Sequence, residues 1–268
     1  MATASPSFTA FRRIPLEPAY KAISGEMERS ILTGALEPGA ALPTEQALAD
    51  RFGVNRSTMR EAIRQVESEG LLERRDGRRL FVARPGVSAI ASRAARVLIL
   101  QQVTFNELWT LAITLEPLAA RLAAEAATAA QLQEIADNLR EEEQAVAAGA
   151  DAGSGSHNDV AFHALVARAS GNRALILARE PVSLLYAPAL AQLRPRLPQA
   201  RTRNVAAHRH ICDALQHRRP EEAEHWTRKH LNDFRRGYLL ADLDLNAPVS
   251  RTHSAPYQPG DNHAVTNE

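Results

Sequence analysis

One cysteine, few aromatics and no long apolar run already restrict what this chain can be. With Cys212 as its only cysteine, the 268-residue sequence cannot hold a disulfide framework or a cysteine-based zinc site. A reducing, cytoplasmic setting is expected. No run of about 18 apolar residues is present to span a membrane, and the N-terminus lacks a basic segment followed by an apolar one. The chain therefore reads as soluble and intracellular, with no membrane partner. Aromatic residues make up only 5% of it, but hydrophobic residues reach 45%, enough for a sizeable core. Its length gives a prior of just under two domains at roughly 150 residues each. Histidine is missing from the first 156 residues, and all nine lie at or beyond His157. Net charge is nearly missing too, at +1, yet residues 51–84 carry nine arginines against five acidic groups. Local excess, rather than the total, governs contact with nucleic acid. Arginine chemistry is thus concentrated in the N-terminal part and histidine chemistry in the C-terminal part.

Residues 1–14 mix Ser, Thr, Pro and Arg without periodicity and read as a disordered arm. Between residues 20 and 31 apolar side chains recur at helical spacing, and Gly34 follows as a C-terminal cap. After the turn Leu36-Glu37-Pro38-Gly39, Thr44 suits the N-cap of a short helix with Leu48 and Phe52 inward, ended by Gly53. Asn55 caps the next helix, whose inward face is Met59, Ala62, Ile63 and Val66. Two short helices separated by Gly53-Val54-Asn55 make a helix-turn-helix. Residues 71–74 and 80–82 are strand-like and flank Asp76-Gly77, a two-residue hairpin signal, so a wing is expected.

Residues 15–86 therefore predict a winged helix-turn-helix of three helices plus a β-hairpin, bounded by Arg84-Pro85-Gly86. Residues 87–240 are Ala- and Leu-rich with helical periodicity and predict an all-α bundle of six or seven helices. Residues 241–268, with Pro248, Pro256 and Pro259, read as a disordered tail. The fold class is mainly α.

Arg56 and Arg60 lie four residues apart on one face of the second short helix, opposite its apolar face. Guanidinium groups there can grip guanine bidentately. Ser57 and Thr58, at the helix N-terminus, suit phosphate oxygens or bases. Gly77 at the wing tip lets backbone approach a minor groove, with Arg75, Arg78 and Arg79 supplying charge. The alternative is a solvated arginine face on an ordinary helical domain. The run Ile31-Leu32-Thr33-Gly34-Ala35-Leu36-Glu37-Pro38-Gly39, followed by LPTEQALADRFGVNRSTMREAIRQVESEGLL (residues 42–72), resembles the N-terminal domain of GntR-type bacterial transcription regulators. The resemblance implies a double-stranded DNA operator as partner, base contacts by Arg56 and Arg60, and supporting contacts by Thr58 and Gly77. Gln46 stands where that family usually has an operator-touching Arg. Since Gln can read adenine, a changed operator preference or weaker binding, rather than lost function, is expected there.

The C-terminal part carries a second constellation. In SHNDVAFHALVARASGN (residues 156–172), Asp159 and His163 are i and i+4, on one helix face beside Phe162 and Val166. His208 shares a stripe with Ile211, Cys212 and Leu215, and His230 shares one with Ala223, Trp226, Thr227 and Phe234. His210 and His225 fall on polar faces and read as solvated. Periodicity thus selects Asp159, His163, His208 and His230 as a buried polar set. Such groups are costly to bury unless paired, and a divalent metal resolves that cost. Three imidazoles and a carboxylate suit zinc, nickel or, with added waters, manganese. Alternatively, each histidine separately satisfies a backbone carbonyl.

DVAFHALVARASGN, the later HRHICDAL (residues 208–215) and His230 are similar in order and spacing to the FCD domain of the FadR-like GntR subfamily, over residues 94–240. That similarity implies the same four residues as metal ligands and a small organic acid as effector. It also implies dimerisation and control of operator affinity, usually by release of a repressor. Two departures stand out. Before Leu-Glu-Pro, where the family usually has an acidic residue and a carboxylate-clamping Arg, this chain has Thr110 and Ala112. Ala207 replaces the Glu generally preceding the first later histidine. Either the effector is less acidic, or another cation such as Arg201 or Arg203 substitutes, the alternative for these arginines being a solvated loop; Trp109 is expected at the pocket wall or in the core. Gly153-Ser154-Gly155-Ser156 reads as a flexible connection and Glu141, Glu142 and Glu143 as a solvated face.

The function expected is that of a homodimeric, metabolite-responsive repressor. Two competitors are a metal-dependent hydrolase tethered to DNA, using water activated at an open metal position, and a ligand-independent regulator with a structural metal.

Overall fold

Side-chain caps write two of the three helix starts of the N-terminal part. The computed structural model describes residues 17–77, 79–84, 86–149, 152–193 and 195–249, and the chain divides into two compact units between Gly86 and Val87. The first unit contains α1 (Ala19–Leu32), α2 (Glu45–Phe52), α3 (Arg56–Ser68), β1 (Leu72–Arg75) and β2 (Arg79–Val82). Thr44 accepts from the Ala47 N–H to open α2, and Asn55 accepts from the Thr58 N–H at 2.8 Å to open α3. Gly53 closes α2 at φ +65°, a left-handed conformation that costs a side-chain-bearing residue strain. Ile23, Met27, Leu48, Met59, Ile63, Val66, Leu72 and Val82 form one core.

β1 and β2 pair antiparallel from Leu72↔Val82 to Arg75↔Arg79, and residues 39–42 run along the other edge of β2 through Leu42 N–H to Leu80 O and Val82 N–H to Ala40 O. This register leaves three residues, 76–78, in the wing turn, one more than the hairpin signal predicted. Asp76 and Gly77 both take positive φ, at +53° and +69°. Arg78 lies outside the described residues.

The second unit contains seven helices among the described residues: α4 (Val87–Leu100), α5 (Phe105–Ala126), α6 (Ala129–Ala147), α7 (Ala152–Ala169), α8 (Arg173–Leu193), α9 (Ala200–Gln216) and α10 (Pro220–Leu240). Capping boxes open α5, through Thr104 and Glu107, and α6, through Thr128 and Gln131. Helix α5 is the hub and packs against α7, α8, α9 and α10. Its buried Ala119, Ala120, Ala123 and Ala124 let neighbours approach closely. Four of the scarce aromatics, Phe105, Tyr186, Phe234 and Tyr238, gather at one end, with Phe105 stacked on Tyr238 at 3.9 Å.

Two expectations change. Helix α7 starts at Ala152, so residues 153–156 are helical and the connection from α6 is shorter than composition implied. The segment 241–249, expected in the terminal tail, folds back: Leu245 and Val249 are buried, Asn106 N–H donates to Leu245 O and Val249 N–H to Val103 O. Its Leu243, Leu245 and Val249 cover the apolar end around Phe105, and that burial outweighs the proline content. The expected disordered arm, 1–14, and the rest of the tail, 250–268, lie outside the described residues.

Candidate nucleic-acid interface and metal centre

In the first unit, burial of Met59, Ala62, Ile63 and Val66 forces the opposite face of α3 outward. Arg56 and Arg60 occupy that face, with side chains 66% and 53% exposed. Glu45, at the start of α2, lies 3.8 Å from Arg56 and 3.7 Å from Arg60 and pairs with Arg74 at 3.0 Å. One carboxylate therefore holds three guanidinium groups on one side of the unit without burying them. Ser57 donates to Asn55 at 2.6 Å and Gln46 to Asp50 at 2.8 Å, so both are exposed but locally tied. Thr58 is half-buried. Arg75 lies over Phe81 at 4.6 Å and pairs with Glu73. Gly77 has open space where a Cβ would stand, so its constraint is the backbone conformation alone.

In the second unit, α7, α9 and α10 turn Asp159, His163, His208 and His230 onto one point, and one ligand-type atom from each lies within 4.8 Å of the others. All four are buried, as their stripes predicted. The Nε2 atoms of His163 and His230 are 3.2 Å apart, and His208 Nε2 is 3.6 Å from Asp159 Oδ1. His208 Nε2 is buried with no hydrogen-bond partner among the described residues. Three imidazole nitrogens and a carboxylate oxygen aimed at one volume, one of them unpartnered, fit a divalent cation.

Sequence periodicity missed the residues that hold these side chains. Glu142, expected on a solvated face, is completely buried, and its Oε2 lies 2.9 Å from His208 Nδ1. Leu139 and Ile135, also buried on α6, turn that helix so that Glu142 points inward while Glu143 stays out to bind Arg209. Asn204 donates to Asp159 at 2.7 Å and to Glu142 at 3.2 Å. Glu116 Oε2 lies 3.4 Å from His163 Nδ1, and its Oε1 accepts from Arg179 Nε at 2.7 Å. Glu116 belongs to the Leu-Glu-Pro singled out in the sequence, so its position was visible but its role was not.

The electrostatics follow from this geometry. Burial pushes His208 down to about 3, so the ring is neutral, with Nδ1–H donating to Glu142 and Nε2 left as an acceptor. Burial, together with the neighbouring imidazoles His208 and His163, also holds His230 well below its usual value. His163 differs: burial pulls it down, but the bond and charge of Glu116 outweigh that and raise it. For Glu116, burial opposes ionisation, yet the Arg179 charge and the His163 bond bring it down to about 2. Each of two histidines thus carries a carboxylate on Nδ1, which fixes its orientation toward the cluster.

Two cavities flank the cluster and share Asn204, His230 and Phe234 as walls. The smaller is lined by Asp159, His163 and His230 with Ala112, Glu116 and Arg179. The larger has Leu193, Leu197 and Leu240 with Arg201 and Arg203. The two arginines offered as replacements for a cation at position 112 therefore line the neighbouring cavity instead. Trp109 lines neither: packing of α5 on α10 brings its indole N–H to Leu231 O at 3.1 Å, with Arg235 over the ring at 4.8 Å. Among the described residues no helix is long and apolar enough to cross a membrane.

Residues 19–82 match the family described as bacterial regulatory proteins, gntR family, and residues 107–233 match the FCD domain. The chain is 33% identical over 164 residues to the HTH-type transcriptional regulator LutR of Bacillus subtilis, covering 61% of this chain and 74% of LutR. It is 30% identical over 218 residues to the HTH-type transcriptional repressor NanR of Cronobacter sakazakii, covering 78% and 81%. Similarity to the Glc operon transcriptional activator of Escherichia coli K12 is 28% over 236 residues, covering 85% and 91%. Among solved structures, Streptococcus agalactiae GntR superposes with a TM-score of 0.58 at 27% identity, covering 81% of this chain and 99% of that one.

Proposed function

The chain belongs to the GntR family of bacterial transcription regulators, with an FCD effector-binding domain behind its winged helix, and from that premise we propose that it is a homodimeric repressor. Its operator affinity is set by a small organic acid bound beside a divalent metal. Its relatives are regulators, not enzymes, and the hydrolase reading is dropped. Arg56 and Arg60 read bases, Ser57, Thr58 and Gln46 support them, and the wing turn at Gly77 and Arg78 meets the minor groove.

The observation that carries the sensing half is the convergence of Asp159, His163, His208 and His230 within 4.8 Å, with His208 Nε2 unpartnered. These residues would hold the metal, zinc suiting the donor set best, with nickel and manganese as alternatives. When bound, the ion supplies a fixed positive charge facing the smaller cavity. Glu142 and Glu116 orient two of the imidazoles, and Asn204 holds Asp159. The repressor assignment follows the NanR name.

Anisotropy titrations of the chain's upstream DNA test this reading. Arg56→Ala is expected to lose about 1–3 kcal/mol of specific binding while retaining non-specific binding. Small acids are expected to lower operator affinity in the wild type and not in His208→Ala. Unchanged operator binding in Arg56→Ala overturns the DNA assignment, and an intact acid response in His208→Ala makes the metal structural.

A further inference from the structure

The sequence places no cation at position 112, and Ala112 lines the smaller cavity as a methyl group. On the facing helix α8, Arg179 lines the same cavity with its side chain only 2% exposed. Its guanidinium is clamped on three sides: Nε donates to Glu116 at 2.7 Å, one terminal nitrogen to Glu180 at 3.1 Å, the other to Ser183 at 3.0 Å. A guanidinium carries five N–H groups, and these contacts use one on each nitrogen. All five lie in the guanidinium plane, and a planar fork of this kind can grip a carboxylate bidentately.

We infer that Arg179 is the anchor for the acid group of the effector, so that the ligand is a small carboxylate held between this guanidinium and the Asp159, His163 and His230 wall. The inference rests on the sensing role proposed above. Glu116 and Glu180 already share the guanidinium charge. They hold the fork rigid, and the added positive charge that favours an anion comes from the ion at the neighbouring cluster. A pocket without that ion therefore binds acids weakly, and acid binding is metal-dependent. Lysine at 179 keeps the charge and can still pair with Glu116, but its ammonium has no planar fork to offer.

The test is isothermal titration of the zinc-loaded full-length protein with glycolate, lactate, pyruvate and succinate, each against its neutral amide. Zinc affinity and operator binding are measured on the same preparations. Wild type is expected to bind at least one acid and not its amide. Arg179→Lys is expected to keep zinc affinity within about threefold and lose acid affinity at least about tenfold. Arg179→Gln is expected to lose acid binding as fully, and a melting scan with zinc shows whether it folds. Acid affinity unchanged in Arg179→Lys, equal binding of acids and amides, or no acid binding by the wild type would overturn the anchor. If operator binding survives those results, the regulator reading stands without it; loss of zinc binding by wild type sinks the sensing role instead.

Discussion

At the scale of single residues, the site depends on groups that never touch a ligand. Glu142 lies against His208 and Asn204, and it fixes which imidazole nitrogen faces the cluster. Glu142→Gln is expected to weaken zinc binding about 10- to 100-fold while the fold persists, read by competition with a chromophoric chelator. The metal-free protein should also respond to pH. His208, held near 3 by burial, is depressed below its free value of 6.5, so its contribution to stability is complete above pH 6.5 and is lost as pH falls toward 3. His230 adds in the same direction. His163, raised because Glu116 outweighs burial, contributes with the opposite sign: its share is present below pH 6.5 and lost above its raised value. Urea titrations of the metal-free chain between pH 7 and 4 should show falling stability, and His208→Asn should flatten that fall. Orientation was legible where periodicity alone decides it, as for the inward-facing Asp159, His163, His208 and His230. It was not legible for Glu142, because three consecutive glutamates look alike until the packing of α6 selects one. Nor was it for Arg179, which sits in an apolar stretch with nothing in the local sequence to mark a partner on α5.

At the scale of elements, helix ends and helix faces carry the predictions. Gly53 ends α2 at φ +65° with no atom within 4 Å of a would-be Cβ, so Gly53→Ala meets strain but no clash. A loss of about 1 kcal/mol is expected from denaturant unfolding of the full chain. On the bundle, Leu111 and Leu118, seven residues apart on α5, are each 43% exposed, and Leu177 on α8 is 40% exposed. Regulators of two-fold operators need paired recognition helices, and if the homodimer proposed above pairs through the exposed leucines of α5, a charge there opposes it. Leu118→Asp is expected to shift sedimentation toward monomer and weaken operator binding. Most elements were legible because their caps are local: Thr44, Asn55, Thr104 and Thr128 each bind within three residues. The wing turn was misjudged by one residue, since its register is set by pairing with β2 and by the 39–42 edge, neither of which Asp-Gly encodes. The start of α7 was hidden because Gly and Ser are weak helix formers, and the helix nevertheless begins at Ala152.

At the scale of the whole molecule, a nearly neutral chain must bind a polyanion through one basic face. Operator affinity should fall as salt rises, with the logarithmic slope reduced by about 0.9 in Arg75→Ala if that wing residue neutralises one phosphate. Titrations at several salt concentrations read this, and an unchanged slope removes Arg75 from the interface. The division of labour seen in the sequence, arginine early and histidine late, corresponds to the two compact units. What composition could not reveal is how the second unit is closed. The bond from Val249 N–H to Val103 O joins the beginning of the bundle to its last described residue. Such a long-range closure adds a large loop entropy to the folding barrier. A ribosome releasing this chain therefore presents a complete winged helix well before the bundle can shut. Until residues 241–249 are released, the apolar end around Phe105 lacks its cover of Leu245 and Val249 and stays open to other apolar surfaces.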